Sequence, residues 1–250
     1  MSGLGNRFWN EWKRSFSERK RFSTARRAPF YDLAGKFLPE DPTAVVVDIG
    51  AGEGWFASQL KLADRFPNLV MLDGNPGTVA LLKERGMNAF SYEAPGKLPF
   101  EDRSIQFIHC SHIIEHLYHQ DLHSFLEELD RVLSESGILV VSAPLLSKGF
   151  YRDMSHVRPY SPEVLTNYLC GTSPSQQRSA AFVSEQYQKL ELVYRYSKAT
   201  LDEGWGSSIA VIDFGITLIR QILSKIGIAR TMKTGFTVVL KKLEKESVLQ

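Results

Sequence analysis

The segment Val47-Asp48-Ile49-Gly50-Ala51-Gly52-Glu53-Gly54 sets an acid and three glycines at D-x-G-x-G-x-G spacing. A short β-branched run over 44–49 leads into it, so the glycines fall where a buried parallel strand turns toward a helix. Ligands of open α/β sheets bind beyond the carboxyl ends of the strands. Glycines there remove the Cβ atoms that would hold a ligand off the backbone. A dinucleotide fingerprint, G-x-G-x-x-G, would need glycine where this chain has Trp55. Asp73 ends the next apolar run after the glycines, a place from which a carboxylate accepts both hydroxyls of a ribose. A ribose acid without a diphosphate cradle points to a nucleoside that carries no phosphates, with Asp48 facing its cationic part. Read blandly, the glycines only pack a helix on a strand, Asp73 or Asn75 caps the next helix, and Glu53 is solvated.

Further segments fall in order behind the glycines. They are Leu72-Asp73-Gly74-Asn75, Leu98-Pro99-Phe100-Glu101-Asp102-Arg103-Ser104, Ser111-His112-Ile113-Ile114-Glu115-His116-Leu117, and Arg131-Val132-Leu133 through Gly137-Ile138-Leu139-Val140-Val141-Ser142-Ala143-Pro144. Over residues 43–144 the chain resembles the class I S-adenosylmethionine-dependent methyltransferases, in the branch acting on small molecules and glycans. The resemblance implies S-adenosylmethionine as cofactor and S-adenosylhomocysteine as product. It implies a binding set of Asp48, Gly50, Ala51, Gly52, Gly54, Asp73, Gly74, Glu93 and Cys110. Two departures stand out. Ile105-Gln106 occupies the place of the family's aromatic-Asp pair, and Glu93 matches the adenine-binding acid only with one residue inserted.

Asp153-Met154-Ser155-His156-Val157-Arg158-Pro159-Tyr160 resembles a stretch found in relatives acting on sugars, lipids and other small molecules. His156 has a pKa range suited to removing a proton from an acceptor hydroxyl, and Asp153 could orient it. The segment could equally anchor the helix starting at Ser161, with Arg158 in an ion pair. Of the six histidines, those at 109, 112, 116, 119 and 123 crowd into one short stretch. The pairs 112/116 and 119/123 share a helix face, yet no cysteine or second carboxylate joins them at ligand spacing, so no metal site is expected. His112, like His116, is a candidate to line the transfer site. The reaction asks mainly for in-line alignment and exclusion of water, and a base matters for an alcohol more than for an amine. Cys110 lacks the Pro-Cys or Thr-Cys setting of pyrimidine-C5 chemistry, and His109-Cys110-Ser111-His112 replaces the D/N-P-P-Y/F of amino-adenine chemistry. A small-molecule, glycan or lipid-linked oxygen acceptor remains.

Strand and helix patterns alternate up to Pro144. Strands are expected over 44–49, 69–72, 87–92, 104–110 and 137–141, and helices over 26–38, 55–66, 77–85 and 120–133. The fold class is α/β, a Rossmann-like, doubly wound, mostly parallel seven-stranded sheet. A substrate-side helical and loop insert covers 145–189, loop-like at 171–177. Strands 190–196 and 235–240 flank an apolar helix over 207–226. The division is an arm (1–25), a cofactor-binding core (26–144), the insert, and a closing segment (190–250) completing the same domain.

The 250 residues hold 30 Lys and Arg against 28 Asp and Glu, a near balance that conceals an asymmetry. Residues 1–30 are at +6 and the remainder at −4. Phe8, Trp12 and Phe16 repeat at i, i+4, i+8 beside Trp9, with Lys13, Arg14, Arg19 and Lys20 projecting elsewhere, as in a basic amphipathic helix that lies on a membrane. A lid over the cofactor or an RNA contact would use the same residues. The expected partners are therefore the acceptor, a membrane surface through 7–22 and a second copy through 207–226, with nucleic acid less favoured. The competing reading is an RNA- or protein-associated protein of this fold that binds through its arm. Two cysteines exclude a disulfide framework and fit a cytoplasmic location, at the inner face of a membrane if the arm binds there. Asp213 and Arg220 argue against the apolar helix as a span.

Overall fold

The computed structural model describes residues 2–23, 27–171, 182–184, 186–199, 207–225 and 230–244. Most of the loop expected at 171–177 lies outside them. Helix α1 (Ser2–Arg21) and helix α2 (Ala28–Gly35) precede the alternating core. That core runs β1 (Val46–Ile49), α3 (Trp55–Gln59), α4 (Leu62–Arg65), β2 (Leu69–Asp73), α5 (Pro76–Glu84), β3 (Ala89–Ser91), β4 (Ile105–Ser111), α6 (His119–Val132) and β5 (Leu133–Pro144). Helix α7 (Pro162–Leu169), β6 (Tyr187–Ala199), α8 (Ala210–Lys225) and β7 (Arg230–Lys242) follow. The sheet order is β3-β2-β1-β4-β5-β7-β6. Strands β1 to β5 pair in parallel and β7 lies antiparallel to β5, the doubly wound arrangement the alternation predicts.

The central strands are apolar on both faces, and Val46, Val47, Phe107, Ile108, Leu139 and Val140 are all buried. Helices cover each side, as parallel sheets require. The helix expected over 55–66 breaks in two at Lys61, which takes a left-handed φ of 51°. The break re-phases the chain so that Leu62 and Phe66 enter the core with Phe56 and Ala57. Residue Gln106, at the departure from the family pattern, accepts the Val45 backbone N–H through Oε1 at 2.8 Å, holding the entrance of β1.

Arg131 ties the 98–104 segment to α6. Its guanidinium donates to Leu98 O, Phe100 O, Asp102 Oδ1 and both oxygens of Glu128, and Glu128 Oε1 accepts from Leu98 N. These bonds hold the Glu128 carboxyl below its ordinary value of 4.5, the Arg131 hydrogen bond being the main cause. Replacing Arg131→Met should lower the unfolding free energy by about 2 kcal/mol at neutral pH, since each bond to a charged group is worth roughly that and they are not additive. A carboxylate with a depressed folded pKa stabilises above its unfolded value and loses that contribution as pH falls through the folded one. The gap between wild type and R131M in urea melts should therefore narrow below pH 4.5.

The chain divides into two compact units, 28–194 with 235–250, and 1–27 with 195–234. The arm thus clusters with the apolar helix, where the sequence had assigned that helix to the main domain. Within the smaller unit, Tyr196 N donates to Phe22 O at 2.8 Å and Ser23 bridges Tyr196. Trp9, Trp12 and Phe16 stack in sequence along α1, with ring centroids 5.0 and 5.6 Å apart. They are 51, 44 and 54 % exposed. The side chain of Phe8 lies outside the described residues. Ile209, just before α8, and Val211, Ile212, Phe214, Leu218, Ile219 and Ile222 on it are exposed too. No helix among the described residues is long and apolar enough to cross a membrane.

Candidate active site

The three glycines after β1 do different work. Gly50, Gly52 and Gly54 all have left-handed φ, at 75°, 53° and 78°. A Cβ on Gly50 would lie 2.6 Å from Ser111 O, so this glycine lets the loop after β1 close against the end of β4. A Cβ on Gly54 would press on Leu82 and Met71, which seats α3 against the core. At Gly52 a Cβ would meet nothing within 4 Å among the described residues. That glycine alone keeps its backbone open to space a ligand can enter, while Ala51 between them is buried.

Asp73 stands across that opening. Its Oδ2 accepts from Gly52 N at 2.8 Å and its Oδ1 from Asn75 N at 2.9 Å, which fixes the carboxylate at the end of β2. Each oxygen keeps a second lone pair for a ligand hydroxyl. Asn75, not Asp73, caps α5, accepting from Gly77 N at 2.9 Å and Thr78 N at 3.4 Å. Tyr92 N donates to Asp73 O at 3.0 Å, and a Cβ on Gly74 would sit 3.5 Å from Tyr92 O. This brings Gly74 beside the segment after β3, where Glu93 is exposed.

Two expected contacts take other roles. Asp48 is buried in β1, where its Oδ1 accepts from His109 Nδ1 at 2.7 Å. His109 in turn stacks on Phe56 with centroids 3.8 Å apart. Asp48 therefore braces β1 against β4 through Oδ1, while its Oδ2 has no hydrogen-bond partner among the described residues. Cys110 is fully buried, and burial pushes its thiol well above the usual range, so it is a core residue of β4 without a surface to offer.

On the other side of the glycine loop, two segments are stitched together. The backbone N–H groups of Val157 and Arg158 both donate to Glu115 O, and Tyr160 Oη donates to Leu117 O at 3.0 Å. His116 Nδ1 donates to Ser155 O at 3.1 Å. These bonds set His156 beside His116, with ring centroids 4.9 Å apart. His156 Nδ1 donates to Phe150 O at 2.7 Å, which leaves Nε2 with the lone pair. Asp153 does not orient this ring: its Oδ2 is 3.9 Å from Nε2, while its Oδ1 accepts from the N–H and hydroxyl of Ser155. Those Ser155 bonds hold the exposed Asp153 carboxyl below its ordinary range. His112 has φ 59° and meets Glu115 Oε1 through Nδ1 at 2.9 Å. Arg158 lies over the Tyr160 ring at 5.8 Å. Glu115 is the residue sequence reasoning passed over. Its burial inside a polar loop is a property of the fold, with no trace in residue spacing.

Comparison with known proteins converges on this region. Residues 47–141 match the family model described as a methyltransferase domain. A trans-aconitate 2-methyltransferase of Deinococcus radiodurans is 34% identical over 130 residues, covering 49% of this chain and 46% of that one. The match spans less than half the length of each curated relative. Among solved structures, a SAM-dependent methyltransferase from Archaeoglobus fulgidus has a TM-score of 0.56 at 18% identity, covering 87% of this chain and 95% of that one. A geranyl diphosphate methyltransferase in complex with SAM has a TM-score of 0.53 at 14% identity, covering 86% and 85%. At such identities the structural likeness speaks for the fold.

Proposed function

We propose that residues 47–141, which match the methyltransferase-domain model, form a class I S-adenosylmethionine-dependent methyltransferase domain, and that the chain methylates a hydroxyl of a small molecule, a glycan or a lipid-linked substrate. The residues present fit the cofactor. Gly52 leaves open the space a Cβ would fill, and Asp73 is held by two backbone donors with lone pairs to spare for ribose hydroxyls. Glu93 is exposed on the side where the base would lie. When bound, S-adenosylmethionine supplies a methyl group on a sulfonium, an activated leaving group.

The observation that carries the hydroxyl reading is the pair of carbonyl-held imidazoles. Phe150 O fixes the tautomer of His156, so its Nε2 is ready to accept a proton from an acceptor O–H as the oxygen takes the methyl group. His116, fixed the same way by Ser155 O, and His112, braced on Glu115, line the approach. An amine acceptor would have little use for such an array. Hydrogen bonds from Val157 and Arg158 to Glu115 O make the acceptor side one preorganised piece.

The first test is thermal. Saturating S-adenosylhomocysteine at about 100 times its dissociation constant adds ~2.7 kcal/mol, a rise of roughly 5–10 °C in Tm for a chain of this size. No rise would end the reading. In the loaded enzyme, H156A should lose about 100-fold or more in kcat while binding S-adenosylhomocysteine as before. Undiminished turnover would remove His156 as the base.

The smaller unit supports a further part of the reading, attachment to the cytoplasmic face of a membrane. A stacked aromatic row, neighbouring basic residues and a second helix with exposed isoleucines, leucine, valine and phenylalanine belong to one compact unit. An RNA-binding surface would have no need of α8's apolar residues. A second copy pairing through 207–226 is the competing use of that helix.

A further inference from the structure

We infer that Glu115, His116 and His156 form a binding site for a first-row divalent cation of the zinc class. Position in the sequence does not suggest this, since His116 and His156 lie on separate segments with α6 and β5 between them. The fold brings one potential ligand atom of each of the three within 4.8 Å of the others.

The chemistry of those atoms is what argues for an ion. His116 Nδ1 and His156 Nδ1 each face a backbone carbonyl, which can only accept, so in the neutral imidazole the hydrogen sits on Nδ1 and Nε2 is the nitrogen able to bind an ion. Glu115 is fully buried, and its Oε2 has no hydrogen-bond partner among the described residues. Two imidazoles and a buried carboxylate therefore meet at one place, each with a potential ligand atom within 4.8 Å of the others. A buried carboxylate oxygen left without a partner costs several kcal/mol unless something positive meets it.

The surroundings are those of a ligand shell. Imidazoles that hold metals donate their other N–H to a carbonyl or carboxylate, which sets the tautomer and raises basicity. Both histidines do so here, and His112 Nδ1 meets Glu115 Oε1 at 2.9 Å, which fixes the carboxylate. Two imidazoles and one carboxylate form the donor set of open zinc sites, which keep a fourth position for water or substrate. Nitrogen donors favour zinc, cobalt or nickel over magnesium and calcium. A zinc ion about 2 Å from each donor needs donor separations of roughly 3.3 Å, so the ion would draw the rings inward by about an ångström.

The use of the ion rests on the hydroxyl-methylation reading; its binding does not. An acceptor O–H on the open position would give its proton to water more readily, and its oxygen would then take the methyl group as the S–CH3 bond of S-adenosylmethionine breaks and S-adenosylhomocysteine leaves. In that form His156 is a ligand and the ion replaces it in activating the hydroxyl.

The test uses the full-length chain, stripped with chelator, and is read without activity. Isothermal titration with Zn²⁺ should give one site of micromolar or tighter affinity, and Co²⁺ should give visible d–d absorption of a four- or five-coordinate site with nitrogen ligands. H156A and, separately, H116A should weaken Zn²⁺ binding at least 30-fold, and E115Q likewise if it folds. H123A, a histidine outside the cluster, should leave Zn²⁺ binding unchanged. S-adenosylhomocysteine binding, measured in parallel, should survive in H156A and so separates this inference from the cofactor reading. Absence of stoichiometric Zn²⁺ binding, or equal affinity in wild type and H156A, would overturn it. So would an NMR titration of the stripped chain in Zn²⁺ excess that shows a proton shared between Glu115 and an imidazole.

Discussion

Gly52→Leu should abolish measurable S-adenosylhomocysteine binding, a loss of at least 100-fold, while the protein stays folded. The expectation rests on where a side chain at this position would go. A Cβ on Gly52 finds no atom of the described residues within 4 Å, so a side chain there starts into open space rather than into the core, and the ligand is what it would meet. The cost to stability is conformational: a non-glycine residue at φ 53° loses about 1–2 kcal/mol, which at this chain length is a few degrees in Tm. Gly50→Ala makes the control in the opposite sense. Its methyl would sit 2.6 Å from the Ser111 carbonyl and 2.8 Å from Ile113 Cδ1, contacts the backbone can relieve only by separating β1 from β4. That variant should fail in folding before it fails in binding. Calorimetry for binding and circular dichroism melts for folding distinguish the two. If G52L bound S-adenosylhomocysteine within a few-fold of wild type, the ligand would not lie over this loop.

Much of this could be seen in the residues themselves. The glycine run and Asp73 lie within one βαβ unit, where local chain geometry dictates what faces what, and the structure joins them through the Gly52–Asp73 hydrogen bond. Arg131 and the 98–104 segment were visible as matched pieces, though only the structure shows that one guanidinium binds them together. What escaped depended on direction and on distance along the chain. Alternation along β4 says that His109 and Cys110 point to opposite faces but not which face holds the ligand. One proved to brace Asp48 and the other to fill the core. Asp153 looked like the partner of His156 because so little chain separates them. A carbonyl, which no side-chain motif reveals, holds the ring instead. The convergence of Glu115, His116 and His156 needed two separate loops to meet at one sheet edge. Spacing within a single helix could not disclose it.

The second large effect concerns α1. Replacing Trp9, Trp12 and Phe16 together with serine should lower partitioning onto vesicles of phosphatidylcholine and phosphatidylserine, mixed two to one, by at least 100-fold. About half of each ring faces outward, and the three stack into one continuous apolar ridge. Aromatic side chains bury ~150–250 Å² each when fully covered, so the exposed halves amount to roughly 300 Å². At ~25 cal/mol per Å² that is on the order of 7 kcal/mol for complete insertion. Even a shallow seat at headgroup depth leaves more than the ~2.7 kcal/mol that a 100-fold change requires. The charges contribute separately. Lys13, Arg14, Arg19, Lys20 and Arg21 are each worth about 1 kcal/mol near an anionic surface. Wild-type binding should therefore fall as salt is raised and fall further on neutral vesicles, while the serine variant should keep its charge dependence at a much lower level. A basic arm made for RNA would show the salt response without the dependence on rings. A lid would show neither, and would couple the same replacements to cofactor affinity. Pairing of two copies through α8 would survive the α1 replacements unchanged in sedimentation, because its exposed residues, Val211, Phe214 and Leu218 among them, are untouched. Co-sedimentation of the triple variant at wild-type levels would rule out the aromatic ridge as the anchor.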